Sequence, residues 1–500
     1  MARSFSLGSA ARRAGAALLA LSLAALPPAA RAQADNLPRL GDAGGEELSA
    51  SAERRLGETI MRDLRRDPDL ADDVDATDYL NRLGAQLAAT PSASGFSLEF
   101  FLVRDGTMNA FALPGGFIGV HTGLITAAQT ESELASVMAH EIGHVTQRHI
   151  ARMLAQQRQT SMMTLAAAIL GALAARSNPQ AAAGAITMAS GAQQQQMLAF
   201  SRDAEREADR VGIDTLRAAG FEPSGMVSFF GRLQQATRVY ESNAPGYTRS
   251  HPLTAERIAD MMLRVQDERY RQRPDSLEFR LVRARLRALA QTGPDALRDI
   301  RTQFERQLRE RTTNDELATW FGLATALVAQ RDFPAADRAL AQVRQRLPQG
   351  HAMVERLAAE ARLRAGDPAG ALALAEAGAA RFPGARGLVR LQAEALLASG
   401  QAVRAERLLQ EQLATLRSDP VLWRLLAQAH HAAGHAALAH VATAEEYALG
   451  GNWRAAVEQL RLSRRAGPPL DFYTGSLVDA RLKEFEQEFQ REQADRVRSR

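Results

Sequence analysis

Apolar residues recur every three or four positions through most of this chain, and alternate or run together mainly in a short stretch near residue 100. Helical spacing predicts helices over about 47–66, 76–90 and 131–148. In the last, Leu134, Val137, Met138, Ile142 and Val145 form a partly buried stripe. Phe96 to Val103 and Ala110 to Val120 read as strands, the second broken at Pro114-Gly115-Gly116. From Leu165 to Ala175 the chain is uninterrupted apolar, Pro179 breaks it, and a second small-residue helix is expected over about 180–192. Eleven apolar residues fall short of the roughly 20 that cross a bilayer, so the 160–196 segment reads as a buried hairpin, or as one facing a membrane surface, partner or cleft. The pattern as a whole predicts a mainly α, α+β fold, with a small sheet among helices followed by an all-α array.

The first residues stand apart. Arg3, Arg12 and Arg13 precede an apolar run from Ala14 to Leu26, then Pro27-Pro28 and Ala30-Arg31-Ala32, the layout of a secretory signal peptide over 1–32. A polar linker follows over 33–46. The expected divisions after it are a mixed α+β domain over 47–268, helical repeats over 269–466 and a helical tail over 467–500.

The repeat expectation rests on period. Ala336, Ala371, Ala405 and Ala439 each open a second helix and are separated by 35, 34 and 34 residues. Trp320 and Trp423 each begin a W-x2-L-A pattern 16 residues before such an alanine, and Pro348, Pro383 and Pro420 fall between units. These features resemble tetratricopeptide repeats, in which small residues let two helices pack and stacked pairs form a concave groove. Gly451-Asn452-Trp453 comes only half a period after the last unit, so the array is expected to end irregularly.

Composition narrows the chemistry. With no cysteine, disulfides, cysteine catalysis and thiolate metal ligands are excluded, leaving histidine and carboxylate. The net charge of +4 is small beside 61 basic residues, and with 5% aromatics and no basic stripe among them there is no nucleic-acid footprint.

The stretch His140-Glu141-Ile142-Gly143-His144 then decides the reading. On a helix its i, i+4 histidines share a face, as a zinc hydrolase needs, and Glu141 is placed to take the proton of an activated water and return it to the leaving nitrogen. A hydrolytic zinc takes three protein ligands and keeps one position open. His149 is a poor third, because nine residues of continuous helix would turn it to the opposite face. The acids of Ser201 to Asp209 remain. Glu205, Ala208, Asp209 and Gly212 share a small-residue face, so Glu205 can be a ligand and Asp209 can orient a ligand imidazole, but Asp203 and Glu207 form a rival pair and spacing does not choose between Glu205 and Glu207.

The combination of H-E-x-x-H with S-R-x-x-E-x-x-A-D some sixty residues later resembles the gluzincin metallopeptidases related to the heat-shock membrane protease HtpX and the CAAX prenyl endopeptidase. That resemblance implies one Zn2+ per chain held by His140, His144 and Glu205, with Asp209 beside them. The order of leader, metal domain and repeats, with Asn109-Ala110-Phe111-Ala112-Leu113-Pro114-Gly115-Gly116 and His251-Pro252-Leu253 before Arg257, is similar to periplasmic proteases that enhance β-barrel assembly. It implies that His251 lies near the metal, where it would occupy the fourth position and restrain activity.

The segment Asn109, Ala110, Phe111, Ala112 would offer an edge strand on which an extended substrate pairs through its backbone. His121 reads as capping a turn, or else as lying near the site, and His430, His431, His435 and His440 as solvated, since no acid accompanies them closely in sequence, although His431 and His435 have metal-compatible spacing. The expected function is a periplasmic zinc endopeptidase that degrades misassembled outer-membrane proteins, its repeats engaging those proteins or the β-barrel assembly machinery, with peripheral membrane contact. The alternative is chiefly a chaperone or assembly scaffold with secondary proteolysis.

Overall fold

The computed structural model describes residues 48–67, 69–156, 201–239, 246–267, 273–291 and 293–498. The expected leader, the linker and the 160–196 hairpin lie outside them. Helix α1 (Ala50–Leu64) begins where the Ser49 hydroxyl accepts from the Ala52 N–H, and α2 (Val74–Ala88) where Asp73 accepts from Ala76. Each cap satisfies a first-turn N–H that has no partner within the helix.

Strands β1 (Glu99–Val103), β2 (Ala110–Leu113) and β3 (Phe117–His121) form one sheet in the order β1-β3-β2. The central β3 runs parallel to β1 and antiparallel to β2, with Phe111 opposite Gly119. The expected 110–120 strand is therefore a hairpin, turned by one 3-10 turn at Pro114–Gly116, where proline has no N–H to offer a ladder. Its first arm, β2, forms an edge.

Helices α3 (Thr122–Ala127), α4 (Glu131–Thr146) and α5 (His149–Gln156) follow. Thr130 caps α4 by accepting from the Glu133 N–H, and the Glu133 carboxylate accepts in return from the Gln129 N–H at 2.6 Å. Every residue of α4 is buried, not just one stripe, because β2, α2 and two later helices surround it. It ends at Thr146, before the expected 148, and Arg148 takes a left-handed φ of 53°.

Helices α6 (Arg202–Ala218), α7 (Ser224–Val239), α8 (Gly246–Ser250) and α9 (Ala255–Val265) complete the first half. α6 crosses α4 with almost no space between backbones. A Cβ at Gly143 would stand 3.0 Å from Ala208 Cα, and one at Gly212 would stand 3.2 Å from the His140 nitrogen. Two glycines thus set how closely the histidine helix and the acidic helix approach, which fixes the reach between their side chains.

The repeat half contains α10 (Leu277–Ala288), α11 (Pro294–Arg309), α12 (Glu316–Ala329), α13 (Phe333–Arg346), α14 (Ala352–Arg364), α15 (Pro368–Arg381), α16 (Arg386–Ala398), α17 (Ala402–Leu413), α18 (Pro420–Ala432) and α19 (Ala436–Leu449). Ala336, Ala371 and Ala405 are fully buried between paired helices, as the period predicts. Ala439 is only half-buried and Ala437 takes the inner position, where the array gives way to α20 (Trp453–Ser463) and the long α21 (Phe472–Arg498).

The halves share one apolar core, which runs from Leu83, Leu134 and Val137 through Phe279 and Phe304 to Leu357. A polar seam reinforces it. Four aspartates around the start of α2 each meet an arginine of the repeats at 2.7 Å: Asp73 with Arg285, Asp75 with Arg356, Asp78 with Arg386 and Asp72 with Arg390. No helix among the described residues is long and apolar enough to cross a membrane.

Candidate metal centre

One turn of α4 separates His140 from His144, and their Nε2 atoms stand 3.0 Å apart. Glu205 reaches across from α6, with Oε2 3.5 Å from His140 Nε2 and Oε1 3.4 Å from His144 Nε2. Two donors each about 2.05 Å from a tetrahedral zinc would stand roughly 3.3 Å apart. These separations fit donors that share an ion. The segment before α9 adds His251, whose Nδ1 lies 3.0 Å from Glu205 Oε1. All four residues are fully buried and offer donor atoms within 4.8 Å of one another.

Glu141 is completely buried beside them, and neither of its carboxylate oxygens has a hydrogen-bond partner among the described residues. His251 Nε2 approaches its Oε1 at 3.5 Å. A buried polar group without partners costs roughly 1–3 kcal/mol, and more when charged. The donor set and this orphaned carboxylate together fit a metal with a water beside it.

Electrostatics divide the two helix histidines. Burial opposes charge on His140, but Asp209 and then Glu205 outweigh it and lift its pKa to about 9. Burial holds His144 well below the usual imidazole range despite Glu205, which suits a neutral ligand. Burial would raise Glu205, yet His251, His140 and His144 hold it well below the usual carboxylate range.

Support behind the cluster comes from residues far apart in sequence. Asp209 Oδ1 lies 2.9 Å from His140 Nδ1. Arg257 grips the same carboxylate, Nε donating to Oδ2 at 2.7 Å and Nη2 to Oδ1 at 2.8 Å, while Nη1 donates to the Pro252 carbonyl at 2.8 Å. One buried guanidinium thereby ties the acid behind His140 to the segment that carries His251. Tyr247 stacks on His251 with ring centroids 4.5 Å apart. The sequence held Arg257 only as part of a resemblance, and nothing in its spacing points to Asp209.

Several expectations change. His149 does not join the donor cluster, but neither does it face away from it: the left-handed turn at Arg148 starts a new helix, and His149 Nδ1 sits 2.9 Å from His144 Nδ1. Glu207 pairs with His149 at 3.1 Å, outside the cluster, so it is Glu205 that the structure brings to the histidines. Asn109 and Ala110 are buried, Phe111 and Ala112 half-buried; Asn109 Nδ2 approaches His121 Nε2 at 3.4 Å. His121 Nδ1 lies 3.0 Å from Thr107 Oγ1, in the loop before β2. Among the repeat histidines the pairing is His430 with His435, not His431, and an acid does accompany them: both Nδ1 atoms meet Glu406 Oε1, at 2.7 and 2.8 Å. Those are hydrogen-bond distances, and His430 is buried where solvation was expected.

The profile of peptidase family M48 matches residues 75–264, and that of a tetratricopeptide repeat matches residues 362–429. The beta-barrel assembly-enhancing protease of Escherichia coli K12 is 36% identical over 280 residues, 56% of this chain and 57% of that protein. A relative from Vibrio cholerae serotype O1, provisionally given the same name, is 36% identical over 337 residues, 67% of this chain and 69% of its own. A mitochondrial metalloendopeptidase of Schizosaccharomyces pombe is 29% identical over 216 residues, covering 42% of this chain and 60% of that one. The matched stretches thus span from somewhat over half to somewhat over two thirds of these relatives.

Proposed function

The chain belongs to peptidase family M48 and is a metalloendopeptidase, and from that premise we propose that it is a zinc-dependent endopeptidase of the periplasm which cleaves misassembled outer-membrane proteins and assists β-barrel assembly. His140, His144 and Glu205 would hold the ion and His251 would cover its remaining face. The chemistry a zinc ion supplies at such a set is a lowered water pKa and polarisation of a carbonyl. Glu141 accepts the water proton and passes it to the leaving amine. Asp209, gripped by Arg257, would keep the His140 proton on Nδ1 and so leave Nε2 as the nitrogen available to a metal. Of the Asn109–Ala112 segment, Phe111 and Ala112, the half-exposed part of the β2 edge, would offer backbone groups to an extended chain, which favours unfolded substrates over folded ones.

The observation that carries this reading is Glu141, buried, without a hydrogen bond and beside a two-histidine, one-glutamate donor set. Glu141→Gln is expected to retain one metal per chain and lower casein cleavage by about two to four orders of magnitude. Normal turnover by that variant would remove Glu141 from the chemistry.

Barrel assembly is taken from the names of the relatives, and the repeats are the part suited to it. A cleft of about 740 Å³ opens between them and the peptidase half, lined by arginines such as Arg65 and Arg424 and acids such as Glu99 and Glu446. Rescue of barrel assembly by the Glu141→Gln protein would favour the scaffold role over the proteolytic one.

A further inference from the structure

The two imidazoles of α4 are backed differently. Behind His140 stands a carboxylate, Asp209. Behind His144 stands another imidazole, with His149 Nδ1 at 2.9 Å from His144 Nδ1. His149 Nε2 in turn lies 3.1 Å from Glu207 Oε2, and the same oxygen takes Arg152 Nη2 at 3.1 Å. The row leads from the sealed cluster to the surface: His149 is 3% exposed, and the side chains of Glu207 and Arg152 are 33% and 43% exposed.

Hydrogen placement along this row follows from valence. If His144 offers Nε2 to a metal, that nitrogen is bare and its proton sits on Nδ1. A nitrogen–nitrogen contact of 2.9 Å needs one donor and one acceptor, so His149 Nδ1 is bare. Its proton is then on Nε2, aimed at the Glu207 carboxylate. Each group's role is set by the next.

We propose that His149 is a positioning residue for the metal, an imidazole bridge through which the carboxylate of Glu207 fixes the tautomer and ring orientation of His144. The bridge exists because Arg148 adopts a left-handed conformation, which returns the chain to the face that α4 had turned away. It gives His144 a support that ends at the protein surface, whereas the support of His140 ends at a buried arginine. The proposal rests on the reading of His144 as a ligand.

Zinc affinity of the full chain, measured by competition with a chromophoric chelator, tests it without reference to turnover. His149→Phe keeps a ring but no nitrogen and is expected to weaken zinc binding by about 10- to 100-fold. His149→Gln, which can accept from His144 and donate to Glu207, is expected to recover most of that loss. Glu207→Gln, a surface change that leaves folding intact, is expected to weaken binding several-fold in the native background and not at all beside His149→Phe. A purely structural His149 would show neither the rescue nor the non-additivity. Affinity within twofold of native in both His149→Phe and Glu207→Gln would overturn the bridge. If His149→Phe fails to fold, Glu207→Gln alone decides in the same sense. Unchanged affinity in His144→Ala would instead overturn the ligand assignment beneath it.

Discussion

At the scale of single residues the site is a set of side chains whose charges make sense only together. Glu205, Asp209 and Arg257 are buried, and each would be costly alone; the contacts among them and the histidines offset that cost. His251 belongs to this set through Glu205 at 3.0 Å and Glu141 at 3.5 Å, so it competes with a water for both metal and base. His251→Ala is therefore expected to raise casein cleavage several-fold at unchanged zinc content. Unchanged or lower cleavage would remove the restraining role. H-E-x-x-H was legible in the sequence because it is a local motif on a helix, where spacing sets direction; Glu205 came only with the resemblance, since spacing left it level with Glu207. Arg257 and His149 were not legible, since one pairs with an acid 48 residues away and the other depends on a single left-handed residue.

At the scale of elements, the decisive contact is the crossing of α4 and α6. The small face of α6 was readable from its period, and the structure buries it against the histidine helix as that period implies. Gly143→Ala tests the crossing. Alanine gains about 1 kcal/mol of helix propensity, but overpacking costs about 1–3 kcal/mol, and here the obstacle is backbone at 3.0 Å, which cannot rotate aside. The expected result is a small loss of melting temperature with a clear loss of zinc affinity, because Glu205 moves away from the histidines. An unchanged affinity would mean that helix separation does not set the donor geometry. The sheet shows the opposite limit of sequence reading. Two strands were expected, the second broken at Pro114-Gly115-Gly116, and three formed, since that break is a full reversal; its place was readable but its angle was not.

At the scale of the whole molecule, the helical period located the repeats, but their attachment to the peptidase half was invisible in it. Helix α10 lies beyond the expected 268/269 division and yet supplies Phe279, Leu281 and Val282 to the same core, packing against α2 and α3. The arginine seam adds charge to that join. Burial opposes ionisation of Asp73, but Arg285 and Arg356 outweigh it and hold its pKa below the ordinary 3.8. A depressed carboxylate stabilises the fold above the unfolded value and loses that contribution as pH falls through the folded one. Acid unfolding involving this pair is accordingly expected below pH 3.8, and Arg285→Ala is expected to cost about 2–3 kcal/mol at neutral pH and progressively less under acid. A constant cost from neutral pH to pH 2 would contradict the seam.

Everything functional depends on one ion being shared by two helices. Metal analysis of the purified protein beside its Glu205→Ala variant tests this most directly. One zinc per native chain, with loss of most of it in the variant while the fold remains, is the predicted result; a native chain without zinc, or a variant that keeps its full complement, would contradict the account.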